Sequence, residues 1–286
     1  MLHPLKDETM TAGQMTKRGL AYTATDVRPP WCGAERAVIF HHGIGTNRDV
    51  WCGWLPEVAA QHGVVRFDFR GFGASAVPPV NHTWTMRELI DDVLDVADLA
   101  GPEPVHIVGE SMGGSIALAA ALERPDRFAS VTISNAGYKG EGIWRLPGWK
   151  AEIEKDGIAA WAERMMPLRF APGAGDAKKL AWFAAEQARA KAHVVLGLGD
   201  LLARLDLTDQ APSLKIPLLI LAPDSSPFVP VRQASDLVEL IPHAELNVFA
   251  GVRHGLSFSH AAEASRLTRD FLARVERGEA GRARLS

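Results

Sequence analysis

Chemistry in this chain concentrates around one serine. The run Val105-His106-Ile107-Val108-Gly109-Glu110-Ser111-Met112-Gly113-Gly114 sets a G-x-S-x-G pentapeptide between an apolar β-branched stretch and an Ala-rich one. A strand that turns sharply into a helix forces the serine into a backbone conformation that only small neighbours tolerate, and Gly109 and Gly113 supply that room. Such a turn exposes Ser111 Oγ and puts the Met112 N–H at the positive end of the new helix, where it can stabilise an oxyanion. An incidental serine in a Gly-rich turn is the plain alternative. The strand before and the helix after speak against it.

A serine nucleophile needs a base near neutrality. Val248-Phe249-Ala250-Gly251-Val252-Arg253-His254-Gly255 places His254 on a Gly-flanked loop between the last strand and the last helix, and imidazole titrates near pH ~6.5 without tuning. His62, His82 and His243 read as surface-turn residues, His106 lies within a strand and His260 begins a helix. A second oxyanion donor is expected from Phe40-His41-His42-Gly43-Ile44-Gly45-Thr46, where the Ile44 amide would face that of Met112. His41 and His42 are adjacent, point apart and have no carboxylate cluster nearby, so they read as loop packing and not as metal ligands.

These residues must be positioned by a framework. Short β-branched runs at Ala37–His41, Val64–Asp68, Val105–Gly109, Val131–Ser134, Pro217–Ala222 and Leu246–Ala250 read as strands. Helical patterns fall at Met86–Leu99, Ser115–Glu123, Val231–Leu240 and Ala261–Val275. Alternation of this kind predicts a parallel sheet covered on both faces, one large α/β core built from 19–137 and 214–276. The alternation breaks over 138–213, which reads as an inserted helical cap with Trp144, Trp149, Trp161 and Trp182. Such rings are usually cap core; as substrate wall, Trp144 and Trp149 would favour apolar ligand parts. Segments 1–18 and 277–286 are expected to be loose.

Composition excludes other classes. With 286 residues, 47% hydrophobic and 23% charged, the chain is an ordinary globular one. A net charge of −3 offers no basic field for nucleic acid. No apolar run reaches the ~20 residues of a membrane span, and the first residues carry Asp7 and Glu8, unlike a leader. Two cysteines, Cys32 and Cys52, make no framework, so free thiols and a cytoplasmic location are expected.

Together these residues resemble the α/β-hydrolase superfamily from about Gly19 to Val275. Asp68-Phe69-Arg70-Gly71-Phe72-Gly73-Ala74-Ser75 is similar to its D-x-R-G-x-G-x-S turn, which is structural. Gly45-Thr46 with Trp51, the Ser134-Asn135-Ala136-Gly137 segment, and Met166 to Pro172 resemble 3-oxoadipate enol-lactonases. The resemblance implies an eight-stranded, mostly parallel sheet with the cap inserted after strand six, and no metal or organic cofactor. It also implies a small lactone substrate with a carboxylate, paired with Arg48 or with Arg145, Lys150, Arg164 or Arg169 of the insertion. Related epoxide hydrolases and dehalogenases need a carboxylate where Ser111 stands.

The third triad member departs from the family. Its usual pattern, G-x-x-D-x-x-x-P, aligned on Pro230, puts Ser226 at the acid position. Asp224 is the nearest carboxylate and the expected acid, with Glu141 in reserve; a loop-capping Asp224 stands beside that expectation. The expected activity is serine hydrolysis of a small carboxylic ester or lactone through an acyl-enzyme. A carbon–carbon bond hydrolase of aromatic degradation remains the alternative, as does a lyase, a cofactor-free oxygenase or a ligand receptor. The substrate and any homo-oligomer stay open.

Overall fold

The computed structural model describes residues 14–31, 33, 35–143 and 146–281. Eight strands form one sheet: β1 (Gln14–Met15), β2 (Ala21–Thr25), β3 (Val38–His41), β4 (Val64–Phe67), β5 (Val105–Glu110), β6 (Phe128–Ser134), β7 (Leu218–Pro223) and β8 (Glu245–Phe249). Their order is β1-β2-β4-β3-β5-β6-β7-β8. The pairs β1/β2 and β2/β4 are antiparallel, and β3 onward is parallel. Every residue of β3, β4, β5 and β7 is buried, as parallel strands covered on both faces require.

The helices are α1 (Leu55–Val58), α2 (Met86–Ala97), α3 (Met112–Glu123), α4 (Leu146–Arg169), α5 (Ala177–Arg189), α6 (Ala192–Ala203), α7 (Val231–Leu240), α8 (Leu256–Ser259) and α9 (Ala261–Glu276). Thr85 caps α2 by accepting from the Glu88 amide at 3.2 Å, half of the T-x-x-E capping pattern. Residues of α2, α3 and α7 join the core on one sheet face, and those of α1, α8 and α9 the core on the other. Ten of the twelve residues of α3 are buried, which its alanines and glycines allow against the sheet. The insertion between β6 and β7 carries α4, α5 and α6, with α4 broken at Gly157 (φ 81°).

One expectation changes at the N-terminus. Gln14 and Met15 pair with Tyr22 and Ala21, so order extends into the segment expected to be loose. Arg18 is tied to α2 by its amide on Asp95 (2.8 Å) and its Nε on Asp92 (2.6 Å). Cys52 is a free, exposed thiol, while Cys32, Trp144 and Arg145 lie outside the described residues. Among the described residues no helix is long and apolar enough to cross a membrane.

Candidate active site

Ser111 sits between the end of β5 and the start of α3 with φ 52° and ψ −128°, a left-handed conformation that a side chain adopts only under constraint. The constraint is local. Its amide donates to Ser134 O on β6 (2.9 Å), and its carbonyl accepts from Gly114 and Ser115 (3.0 and 3.1 Å). A Cβ on Gly109 would stand 2.5 Å from Gly113 O, and one on Gly113 would stand 2.5 Å from the carbonyls of His41 and His42. The two glycines of the motif therefore let helix, strand and the β3 loop approach each other.

His254 comes from the loop after β8, and its Nε2 lies 3.1 Å from Ser111 Oγ. Its carbonyl is held by Nδ2 of Asn135, the residue after β6, which itself has φ 55°. Burial, and after it the charge of Arg169, push the His254 pKa well below 6.5, so the ring is neutral at pH 7. Ile44 and Met112 line the same small cavity as Ser111 and His254. As the first residue of α3, Met112 offers an N–H that has no partner within the helix.

Among the described residues the distal imidazole nitrogen meets no carboxylate. His254 Nδ1 lies 3.1 Å from Ser226 Oγ, and that hydroxyl also accepts from the amides of Phe228 and Val229, each at 3.3 Å. Pro230 is the N-cap of α7, so the spacing that aligned Ser226 with the acid position holds in space. Asp224 is elsewhere: it is exposed, and its Oδ1 accepts from Gly251 N (2.7 Å) and Ser225 Oγ (2.8 Å), tying two loops together. Glu141, the reserve, is 81% exposed and paired with Lys139 at 2.8 Å. Asp224→Asn should accordingly change turnover less than about threefold, since an amide oxygen can still cap Gly251. A loss of ~10³ or more in kcat, the cost of a missing triad acid, would restore Asp224 to the site.

A hydroxyl has one proton and two lone pairs. If both lone pairs of Ser226 are taken by these amides, its proton is directed at His254 Nδ1, and the ring would then carry its own proton on Nε2, facing Ser111. In this resting tautomer the imidazole donates to Ser111 and cannot take its proton until the two hydrogens rearrange.

Arg169, at the end of α4, is the buried cation of this cavity. Its Nε donates to Gln187 Oε1 (2.7 Å), its Nη2 to Ile44 O (3.2 Å), and its guanidinium lies over the Phe183 ring at 5.6 Å. Burial lowers its pKa to about 10, with the Glu110 charge opposing, so it stays cationic. Burial raises the Glu110 carboxyl, against the pull of Arg169 and of the Gly43 amide. Arg48, also expected to meet a substrate carboxylate, is instead bound to Asp68, whose carboxylate further accepts the Arg48 and Ala74 amides at 2.8 Å. That network closes the D-x-R-G turn. Arg48 lines a wide groove of about 1020 Å³ to which neither Ser111 nor His254 contributes.

The cavity at Ser111 has Ile143, Trp149, Leu202, Phe228 and Val229 as its apolar wall and a volume of only about 20 Å³, room for roughly one water. Trp149 lines this cavity and packs edge-on against Trp161 at 5.2 Å. His41 ends β3 and His42 begins the loop after it, and both are buried packing: His42 Nε2 accepts from Phe69 N at 2.8 Å, and burial lowers the two rings to about 3 and 4.

The family model described as alpha/beta hydrolase fold matches residues 36–261, well over half of the chain. This chain is an α/β-hydrolase family member. It is 29% identical over 222 residues to 3-oxoadipate enol-lactonase 1 of Acinetobacter baylyi, covering 74% of this chain and 79% of that one. To 2-hydroxymuconate semialdehyde hydrolase of Pseudomonas sp. it is 27% identical over 264 residues, covering 85% and 89%. The enol-lactonase structure from Burkholderia xenovorans LB400 superposes with a TM-score of 0.79 at 21% identity, over 89% of this chain and 96% of that chain. The α/β-hydrolase fold and the resemblance to enol-lactonases are therefore both as expected.

Proposed function

We propose that this α/β-hydrolase is a serine hydrolase that cleaves a small ester or lactone bearing a carboxylate. The observation that carries this reading is the 3.1 Å contact of Ser111 Oγ with His254 Nε2 in a cavity that also holds the buried Arg169. Ser111 Oγ attacks the carbonyl carbon, His254 takes its proton, and the amides of Ile44 and Met112 hold the oxyanion. His254 then protonates the leaving oxygen, and water hydrolyses the acyl-enzyme by the same relay in reverse. Ser226 orients the ring without neutralising the imidazolium, so turnover is slow for this class of site. The inserted helices must shift to admit a substrate, because the closed cavity holds little more than a water.

Arg169 is the carboxylate partner in this proposal. Of the four inserted-segment cations expected there, Lys150 is 70% and Arg164 41% exposed in their side chains, paired with neighbouring carboxylates, while Arg169 is buried against the cavity. Among the described residues the buried Trp149 N–H has no partner, a donor that a substrate oxygen would satisfy. Arg169→Gln should lower kcat/KM for a carboxylate-bearing lactone about 10- to 150-fold, the worth of a charge-assisted hydrogen bond of ~1.5–3 kcal/mol. The methyl ester of the same substrate should change little. Because Arg169 also pins the oxyanion loop through Ile44 O, equal losses on both substrates would assign it a purely structural role.

A second reading rests on Ser226. If the Nε2–H tautomer is the working one, His254 donates a hydrogen bond to a substrate oxyanion and the chain is a non-hydrolytic member. A fluorophosphonate discriminates: stoichiometric labelling of Ser111 supports the hydrolase, and a chain inert to it while converting substrate supports the alternative.

A further inference from the structure

We propose that His62, His106 and Glu276 form a binding site for one borderline divalent cation, with Zn²⁺ the best match, at the end of the sheet remote from Ser111. One nitrogen of each ring and a carboxylate oxygen lie within 4.8 Å of one another. The sequence placed His62 in a surface turn, but it is buried on the loop before β4, while His106 is buried near the start of β5 and Glu276 ends α9. Five residues of extended chain separate His106 from Ser111, about 16 Å.

The polarity of the cluster suits a metal. His62 Nδ1 donates to the Arg36 carbonyl at 2.8 Å, and since a carbonyl only accepts, the ring proton is on Nδ1 and Nε2 carries the lone pair. His106 has Ser130 Oγ on Nδ1 at 2.8 Å and Glu276 Oε1 on Nε2 at 2.9 Å. Oxygen partners on the Nδ1 atoms are the outer-shell arrangement that orients ligating histidines. Arg36 Nη1 holds the carboxylate oxygen Oε2 at 2.6 Å and its amide reaches Oε1 at 3.3 Å, so the cation would take the Oε1 lone pair that now faces His106 Nε2. His106 would pass its proton from Nε2 to Nδ1, with the Ser130 hydroxyl turning to accept it, and no proton is lost from the neutral ring.

Two ligands ~2.0–2.1 Å from a tetrahedral ion stand about 3.3 Å apart. The His106–Glu276 pair must therefore open by a few tenths of an ångström, and the widest separation must close by ~1.5 Å. His62 and Glu276 line a groove of about 370 Å³ with Gln61 and Arg277, which provides both entry and room for a water as fourth ligand. Arg36 and Arg28 oppose a cation here, and the two imidazole donors favour a transition metal over Mg²⁺ or Ca²⁺. The ion would fasten the end of α9 to β5 and to the loop before β4. The proposal does not depend on the hydrolase reading.

The test is equilibrium dialysis of the full chain against Zn²⁺, with Co²⁺ spectroscopy and thermal unfolding. The expected result is one saturable equivalent, visible Co²⁺ bands of tetrahedral intensity, and a Tm raised by about 5 °C at 100-fold excess over Kd. His62→Gln and Glu276→Gln, which keep polar side chains, should each weaken binding at least ~10- to 100-fold without altering fluorophosphonate labelling of Ser111. No saturable binding, or unchanged affinity in either variant, would overturn the site and leave the three groups as a hydrogen-bonded fastening of α9.

Discussion

Ser111→Ala should abolish turnover while leaving the fold intact. The expected loss is about 10³- to 10⁶-fold in kcat, because the oxyanion donors and substrate contacts survive but no acyl-enzyme forms. Stability should hardly change. Alanine at φ 52° carries the same backbone strain of ~1–3 kcal/mol as serine, and the strained turn is held by the backbone bonds to Ser134, Gly114 and Ser115, none of which uses Oγ. Intact-protein mass spectrometry after exposure to a fluorophosphonate reads the outcome directly. One adduct on the parent chain and none on the Ala variant is expected; stoichiometric labelling of the variant would place the nucleophile elsewhere.

The serine and the histidine were legible because each lies where a local pattern meets a secondary-structure boundary. The strand into Gly109 and the helix out of Gly113 needed only β-branched and alanine-rich runs to be seen, and Pro230 marked the start of α7. The parallel sheet covered on both faces followed from the same alternation, and the α/β-hydrolase architecture from the resemblance of the motifs to that superfamily. Position 226 was legible by spacing, yet a carboxylate was expected to replace it because Asp224 is two residues away. Space decides otherwise: Asp224 serves the Gly251 turn, and Ser226 reaches the ring.

Other features depend on long-range packing, which leaves no local trace. Four cations of the insertion look alike in sequence, and only the meeting of the end of α4 with the Ile44 loop buries Arg169. The sole hint was its place in the Met166–Pro172 run shared with enol-lactonases. Asn135 gave no signal as the anchor of the His254 loop, since its partner is 119 residues away. Likewise His62, His106 and Glu276 converge from three elements, so no ligand spacing exists to be read.

Ser226→Asp should convert a slow site into a fast esterase. In the parent chain the Ser226 proton is directed at His254 Nδ1, because the Phe228 and Val229 amides occupy the hydroxyl lone pairs. The ring therefore rests with its proton on Nε2, the wrong nitrogen for accepting one from Ser111, and an inverted tautomer of this kind can cost ~10⁴ in kcat. An aspartate has no proton to give. It can accept both amides and an Nδ1–H, which frees the Nε2 lone pair toward Ser111 and stabilises the imidazolium formed during attack. A gain of about 10²- to 10⁴-fold in kcat on a neutral aryl ester is expected. The pH profile moves as well. His254 is depressed in the parent by burial and by Arg169, and a carboxylate favours the charged ring, so the acid limb of kcat/KM should shift to higher pH in the variant. Ser226→Ala removes the misdirected proton without adding a charge, so it should raise kcat, but by less than the Asp variant does. If the Asp variant keeps its Tm yet gains nothing, the tautomer does not limit turnover, and the cavity holds an imidazole that donates to its substrate.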